Sequence, residues 1–271
     1  MDVKDREAGG FMRYRDWVHI MGLPLLGMAL TDIPPDRDYA IGMLFAAMLF
    51  IGSGYSLNHH FDSGGKAPLL PPLAAGAASV ATCHIMGGPT GVFLLGAATS
   101  FAYSAPPLRL KGRPIVGELL NSVGFSLIFL MGYTRTFPPA TDALIIAAFM
   151  GLWVLPTQLI HEISHREGDK RAGLVNFYQS FGLSKTLNAI RACLFTIAAS
   201  SVFVGGILPS GGALAAATII LCAGCLMLMS GRGFHSAIEK SPASIRIWAR
   251  SMCVAYGSFL LAMAILGRAG F

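Results

Sequence analysis

The stretch Asp142-Ala-Leu-Ile-Ile-Ala-Ala-Phe-Met-Gly-Leu-Trp-Val-Leu-Pro-Thr-Gln-Leu-Ile-His161-Glu-Ile-Ser-His165-Arg-Glu-Gly-Asp169 decides the fold. An apolar run of membrane-crossing length, roughly 17 to 25 residues, leads straight into imidazoles, acids and cations. Such groups are expensive to keep at the edge of a bilayer, so they mark a functional site. A second cluster, Asn58-His-His-Phe-Asp62, follows another apolar run in the same way.

Composition agrees with a membrane setting. The 271 residues are 54% hydrophobic and 13% charged, against about 25% charged in an ordinary soluble domain. The mean hydropathy is +0.60. Glycine is plentiful, and small residues let membrane helices approach closely. Apolar runs predict nine helices, at about 12–31, 39–57, 70–87, 89–104, 115–133, 142–161, 186–208, 211–231 and 246–267. The expected fold is all-α: one polytopic membrane domain over 1–271, a nine-helix bundle around a central cavity. The Pro-Pro pairs at 34–35, 71–72, 106–107 and 138–139 fall at expected helix ends, where a missing N–H costs least. The mixed-charge segment Met1 to Phe11 does not read as a cleavable leader.

Cation placement gives an orientation. Loops after the second, fourth, sixth and eighth spans hold Lys66, Arg109, Lys111, Arg113, Arg166, Lys170, Arg171, Lys185, Arg232, Lys240 and Arg246. The opposite side has Arg37, Arg135 and, at the tail, Arg268. With Lys4, Arg6, Arg13 and Arg15, this asymmetry predicts a multi-pass protein of a cytoplasmic or inner membrane, with the N-terminus and both polar clusters in the cytoplasm and the C-terminus outside. The net charge of +6 is thereby a matter of topology, and no basic-aromatic motif points to nucleic acid. All five cysteines fall in expected spans. Cys222-Ala-Gly-Cys225 has no second pair and reads as buried packing.

The clusters are four spans apart, so they emerge on one side. That predicts two related halves, about 12–104 and 115–231, with the site between them and a final helix at 246–267. Asn58 and Asp62 are spaced i, i+4 and share a helical face. Amide and carboxylate oxygens are hard ligands suited to Mg²⁺. Ser63-Gly64-Gly65-Lys66 then reads as a flexible turn ending in a cation. A plain helix C-terminus is the alternative.

Glu162, His165 and Asp169 are spaced 0, +3, +7, again on one face, with Arg166, Lys170 and Arg171 interleaved. Acids that hold a metal beside cations that neutralise phosphate are what a diphosphate site needs. A cytoplasmic loop rich in cations is the alternative, and it leaves the three-residue register unexplained. His161-Glu-Ile-Ser-His165 also matches H-E-x-x-H, in which two histidines bind zinc and Glu162 serves as general base. Third-ligand candidates are Asp169, His59 and His60. The segment Tyr103-Ser-Ala-Pro-Pro-Leu-Arg109-Leu-Lys111-Gly-Arg113 follows the fourth span on the same side and offers a phosphate clamp. On the fifth span, Glu118, Asn121, Ser122 and Phe125 form one stripe. A carboxylate at that depth faces a cavity or a partner, with pairing to Arg109 or Arg113 the alternative to a substrate role.

These motifs resemble those of the UbiA-type intramembrane prenyltransferase superfamily. The family pattern N-x-x-x-D-x-x-x-D is similar to Asn58-x-x-x-Asp62-x-x-x-Lys66, followed by Ala-Pro68-Leu-Leu-Pro71. The pattern D-x-x-D-x-x-x-D is similar to Glu162-x-x-His165-x-x-x-Asp169, followed by Gly173 and Gly182. Tyr103 to Lys111 resembles the loop of the chlorophyll-synthase and phytyltransferase branch. The resemblance covers nearly the whole chain. It implies Mg²⁺-assisted transfer of an isoprenoid from a prenyl diphosphate to an aromatic or lipid acceptor, within the lipid bilayer. It implies metal ligands Asn58, Asp62, Glu162 and Asp169. Asp62, Glu162, His165 and Asp169 are the catalytic candidates. Lys66, Tyr103, Arg109, Lys111, Arg166 and Lys170 are those for diphosphate. Two residues depart from the pattern: Lys66 and His165 stand where the family has acids. They leave open a UbiA-like scaffold without transfer, one that binds or moves a prenyl lipid or cyclises a prenyl diphosphate. The zinc-peptidase reading ranks below both.

Overall fold

Asp36 starts the helix that ends in the first cluster. Its carboxylate accepts the Tyr39 backbone N–H at 2.8 Å, capping one of the orphan donors of the first turn. From this N-cap the chain runs helically to Asp62. The structure, a computed structural model, describes residues 17–31, 35–171, 173–208 and 211–268. Lys4, Arg6, Arg13, Arg15 and the start of the first expected span lie outside the described residues.

The described residues form helices and no strand. After a 3-10 turn at Val18–Met21 come α1 (Gly22–Leu30), α2 (Arg37–Asp62), α3 (Leu70–Ile85), α4 (Thr90–Ser104) and α5 (Val116–Tyr133). Then follow α6 (Thr141–Leu152), α7 (Val154–Arg171), α8 (Phe177–Gly205), α9 (Gly211–Ser230), α10 (Arg232–Lys240) and α11 (Pro242–Arg268). Each expected span carries helix. Six stretches are long and apolar enough to cross a bilayer: Arg37–Asp62, Val116–Tyr133, Thr141–Arg171, Phe177–Gly205, Gly211–Ser230 and Ile247–Ile265. By contrast α3 and α4 have 16 and 15 residues. At 1.5 Å per residue they reach roughly 24 and 22 Å, short of the hydrocarbon core of about 30 Å. The chain is an integral membrane protein, and exposed apolar side chains such as Ile85 (81%) and Met227 (76%) are what lipid tails cover.

Three boundaries differ from expectation for identifiable reasons. The expected span at 142–161 is two helices broken at Trp153. Pro156 explains the break: its ring clashes with the carbonyl four residues back, at Leu152, so it fits only in the first turn of a new helix. The helix then continues to Arg171, so the second polar cluster is helical rather than a loop. The expected span at 186–208 begins nine residues early, because Asn176 caps a first turn that bends at Gly182, where φ is 75°. Finally, α10 occupies part of what reads as a loop, and buries Ile238.

The chain divides into two units. The first is Met1–Arg109 with Leu127–Ala143, and the second is Leu110–Ser126 with Leu144–Phe271. In the first, α2 packs on α1, α3 and α4. Hydroxyls serve as interhelical glue: Ser79 donates to the Ala46 carbonyl at 2.8 Å and Ser53 to the Pro72 carbonyl at 2.6 Å. Phe50 and Phe93 meet edge to face at 5.7 Å. In the second unit, α8 packs on α7 and α9, and α7 also packs on α11. All five cysteines are free.

Backbone-to-backbone contact makes some glycines obligatory. In the first unit, a Cβ on Gly132 would stand 1.9 Å from the Pro24 carbonyl oxygen. We expect Gly132→Ala to force α1 from α5 and to cost about 2 kcal/mol or more, in the upper part of the usual range for overpacking or beyond it. Thermal unfolding in detergent measures this; an unchanged midpoint contradicts the close approach.

Candidate active site

In the first unit the last turn of α2 brings Asn58 and Asp62 to one end. The Ser104 hydroxyl, on α4, donates to Asn58 Oδ1 at 3.1 Å. Asn58 is thus tied across two helices. Tyr103 is half-buried beside Ser104. The Asp62 carboxylate lies 3.5 Å from Arg109 Nη2, with side-chain exposures of 39% and 45%. Arg109 adopts φ 37°, a left-handed backbone that costs a non-glycine residue on the order of 1–3 kcal/mol. The strain is kept where a guanidinium meets a motif carboxylate.

The segment after α2 is more fixed than its glycines suggest. Gly64 and Gly65 take φ 65° and 85°, which glycine adopts without steric cost. The Ser63 hydroxyl donates to the His60 carbonyl at 2.9 Å and accepts the Ala67 N–H at 3.1 Å. His60 Nδ1 meets the Ala67 carbonyl at 2.5 Å. Lys66 sits exposed on this tied turn.

In the second unit, the three-residue register on α7 holds. Glu162 is buried (2% exposed), and His165 and Asp169 are half-buried, while Glu167, Lys170 and Arg171 are exposed. The N-terminus of α8 supplies the contacts. The Tyr178 N–H donates to Glu162 Oε2 at 2.9 Å, as helix N-termini do for anions. Asn176 accepts the Gln179 N–H at 2.9 Å and donates to Asp169 Oδ2 at 2.9 Å. The Gln179 amide donates to the Arg166 carbonyl at 2.7 Å. The Arg166 side chain lies 3.9 Å from Glu167, turned to a neighbouring acid. Lys111 sits half-buried in a 3-10 turn. That turn lies close over α5, where a Cβ on Gly117 would stand 3.1 Å from the Lys111 Cα.

Asn176 and Gln179 are site residues that the motifs alone do not single out. The signal was present: Asn176-Phe-Tyr-Gln179 has the spacing of a helix-capping box. Losing the Asn176 side chain removes a cap worth about 1 kcal/mol and a hydrogen bond to a charged acceptor worth roughly 1.5–3. We therefore expect Asn176→Ala to destabilise the protein by about 2 kcal/mol or more. Unfolding in detergent at a wild-type midpoint contradicts this.

Glu118 does not meet the arginines that sequence proximity offered. Arg109 meets Asp62 instead. Glu118 is 9% exposed, and its carboxyl lies near that of Glu162. Its Oε2 is buried without a partner.

The H-E-x-x-H match finds little support in this arrangement. The His161 and His165 rings lie 4.2 Å apart. Among the described residues, no three His, Cys, Asp or Glu side chains converge as a metal site, so no third protein ligand for zinc joins them. Glu162, the base in that scheme, is buried against Glu118 and the Tyr178 N–H. The donor set is otherwise oxygen-rich: Asn58 and Asp62 in one unit, Glu162 and Asp169 in the other. Mg²⁺ is bound in that style, by one or two carboxylates with waters and substrate phosphates. Within each unit these oxygens are donors of the kind Mg²⁺ takes, and the described residues form no closed zinc centre.

A lycopene elongase/hydratase of Corynebacterium glutamicum is 31% identical over 114 residues, spanning 39% of this chain and 39% of that protein. The match thus spans about two fifths of the relative's length. Among solved structures, a UbiA homolog from Archaeoglobus fulgidus bound to GPP and Mg²⁺ superposes with a TM-score of 0.73 at 17% identity. The superposition covers 93% of this chain and 98% of that one. A structure described for digeranylgeranylglyceryl phosphate synthase gives 0.65 at 13% identity, over 97% and 99% of the two chains. At these identities the structures speak for the fold. The model of the UbiA prenyltransferase family matches residues 72–265, most of the sequence including the basic loop and the second acidic cluster, and the chain belongs to the UbiA prenyltransferase family.

Proposed function

We propose that this protein transfers an isoprenoid chain from a prenyl diphosphate to an apolar acceptor within the membrane. The observation that carries the reading is the contact of Asp62 with Arg109. An acid suited to a metal and a cation suited to phosphate stand side by side on a family motif. Asn58, Asp62, Glu162 and Asp169 would hold Mg²⁺. When bound, the ion supplies positive charge to the diphosphate oxygens and so makes diphosphate a better leaving group. Arg109, Lys111 and Lys66 take up the rest of the leaving charge, with Arg166, Lys170 and the Tyr103 hydroxyl as further contacts. Lys66 occupies the position of an acid, so this site binds diphosphate with one more fixed protein cation and one fewer metal ligand.

The C–O bond of the allylic diphosphate breaks and both electrons leave with the diphosphate. The acceptor's electron pair forms the new bond to the allylic carbon, and a proton is lost from the acceptor. The fixed charges around the leaving group do most of the work, because they need no reorganisation as the bond ionises. Apolar helix walls keep water from the cation. His165 sits on the same face as Glu162 and Asp169, and we assign it contact with the diphosphate. The lycopene elongase/hydratase relative supports a lipid acceptor over an aromatic one. We further propose one membrane domain of two related halves, with the N-terminus and both acidic clusters facing the cytoplasm. The excess of Lys and Arg on that side supports the orientation.

The test is diphosphate release. The purified protein with a panel of prenyl diphosphates and membrane lipid extract is expected to release diphosphate in Mg²⁺ and to stop in EDTA. Binding of prenyl diphosphate without release would favour the non-transferring scaffold instead.

A further inference from the structure

We propose that the corner where α8 meets the end of α9 binds the headgroup of an anionic phospholipid, through Arg191 and Lys185. Its occupation is independent of prenyl transfer. Arg191 lies inside the membrane-spanning stretch Phe177–Gly205, past the bend at Gly182. The excess of cations in loops does not account for it, and a charge within a span calls for a partner. Its guanidinium is held by two neutral acceptors. Nη1 donates to Asn188 Oδ1 at 2.8 Å, and Nη2 donates to the Met229 carbonyl at 3.1 Å. The second bond braces the last turn of α9, where helix carbonyls lack partners of their own. Both bonds orient the guanidinium, and neither neutralises it.

Lys185, Asn188 and Arg191 are spaced three apart and form one row on α8. Lys185 and Asn188 are exposed, and Arg191 is half-buried. Further into the span the same side of α8 turns to hydrocarbon. Phe195, seven residues beyond Asn188, is 70% exposed, and Val202, seven beyond that, is exposed as well. On α9, Met227 and Leu228 are exposed in the turn whose Met229 carbonyl Arg191 reaches. Apolar walls that end in two cations match the layout of a phospholipid, with acyl chains along the helices and phosphate at the basic end. A guanidinium whose plane is fixed is suited to phosphate oxygens. After Gly231 the chain enters α10. This helix is amphipathic, with Phe234 half-buried, Ile238 buried, and Ser236 and Lys240 exposed, as in helices that lie at a membrane interface. Its sequence adds the cations Arg232 and Lys240 against one acid, Glu239. The excess of positive charge selects a net anionic headgroup over a zwitterionic one, whose own ammonium would meet Arg191 and Lys185.

The experiment is lipid binding, read without turnover. Full-length protein in detergent is titrated with phosphatidylglycerol or with phosphatidylcholine of the same acyl chains, and bound lipid is counted by native mass spectrometry. The wild type is expected to bind phosphatidylglycerol about tenfold or more tightly than phosphatidylcholine. The double variant Lys185→Gln, Arg191→Gln is expected to lose most of that preference. Arg171→Gln, which removes an exposed cation of α7, is expected to keep it. Because Arg191 also braces α9, Lys185→Gln is measured alone. It alters an exposed side chain, and a severalfold loss of preference is expected. Equal affinity of the wild type for the two lipids overturns the proposal, as does a wild-type preference in Lys185→Gln. A preference that falls as far in Arg171→Gln as in the double variant marks diffuse charge and overturns it too.

Discussion

Asp62→Asn is expected to reduce prenyl transfer by at least 10²–10³-fold, the scale on which one preorganised charge-stabilising group acts. The substitution keeps size and shape and removes the charge. Its effect on stability is expected to be small, because the carboxylate is 39% exposed and an exposed ion pair such as that with Arg109 contributes about 0.2–1 kcal/mol. Activity and stability therefore separate. Steady-state turnover measured beside an unfolding midpoint in detergent shows whether they do. A variant that loses both together would indicate that Asp62 holds the fold rather than the diphosphate.

Glu162→Gln separates the same two quantities in a buried setting. The amide oxygen still accepts the Tyr178 N–H, so the junction of α7 and α8 persists. One of two facing buried carboxyls loses its charge, so burial penalises the pair less. Stability is expected to hold or rise while turnover falls at least about 10²-fold. Glu162→Ala differs: it leaves the Tyr178 N–H unpaired, at about 1–3 kcal/mol, and loses activity as well. If Glu162→Gln turned over like the wild type, Glu162 would be a structural acid only.

Much of this was legible in the residues because membrane constraints are coarse. The runs at 39–57, 211–231 and 246–267 have few other fates, and each is helix. The register of Glu162, His165 and Asp169 was legible for the same reason: period alone puts them on one face, with Glu162 buried and His165 and Asp169 half-buried. What period cannot show is where a helix breaks. Trp153 lies within an apolar run, and only the geometry of Pro156 four residues after Leu152 divides it. Nor does sequence distance show partners. Glu118 is near Arg113 along the chain, yet its buried carboxyl lies near that of Glu162, on another helix. Asn176 was hidden by its ordinariness. It caps a helix as many asparagines do, and its second hydrogen bond, to Asp169, is visible only in three dimensions.

Mass spectrometry of the reaction product tests the central claim most directly. The protein in nanodiscs is incubated with Mg²⁺, an isotope-labelled prenyl diphosphate and the extracted membrane lipids, beside Asp62→Asn and Asp169→Asn. The account predicts a labelled lipid heavier than its acceptor by one or more prenyl units, absent from both variants. A panel of chain lengths and acceptors that yields no labelled adduct, or an adduct formed equally by the two variants, contradicts it.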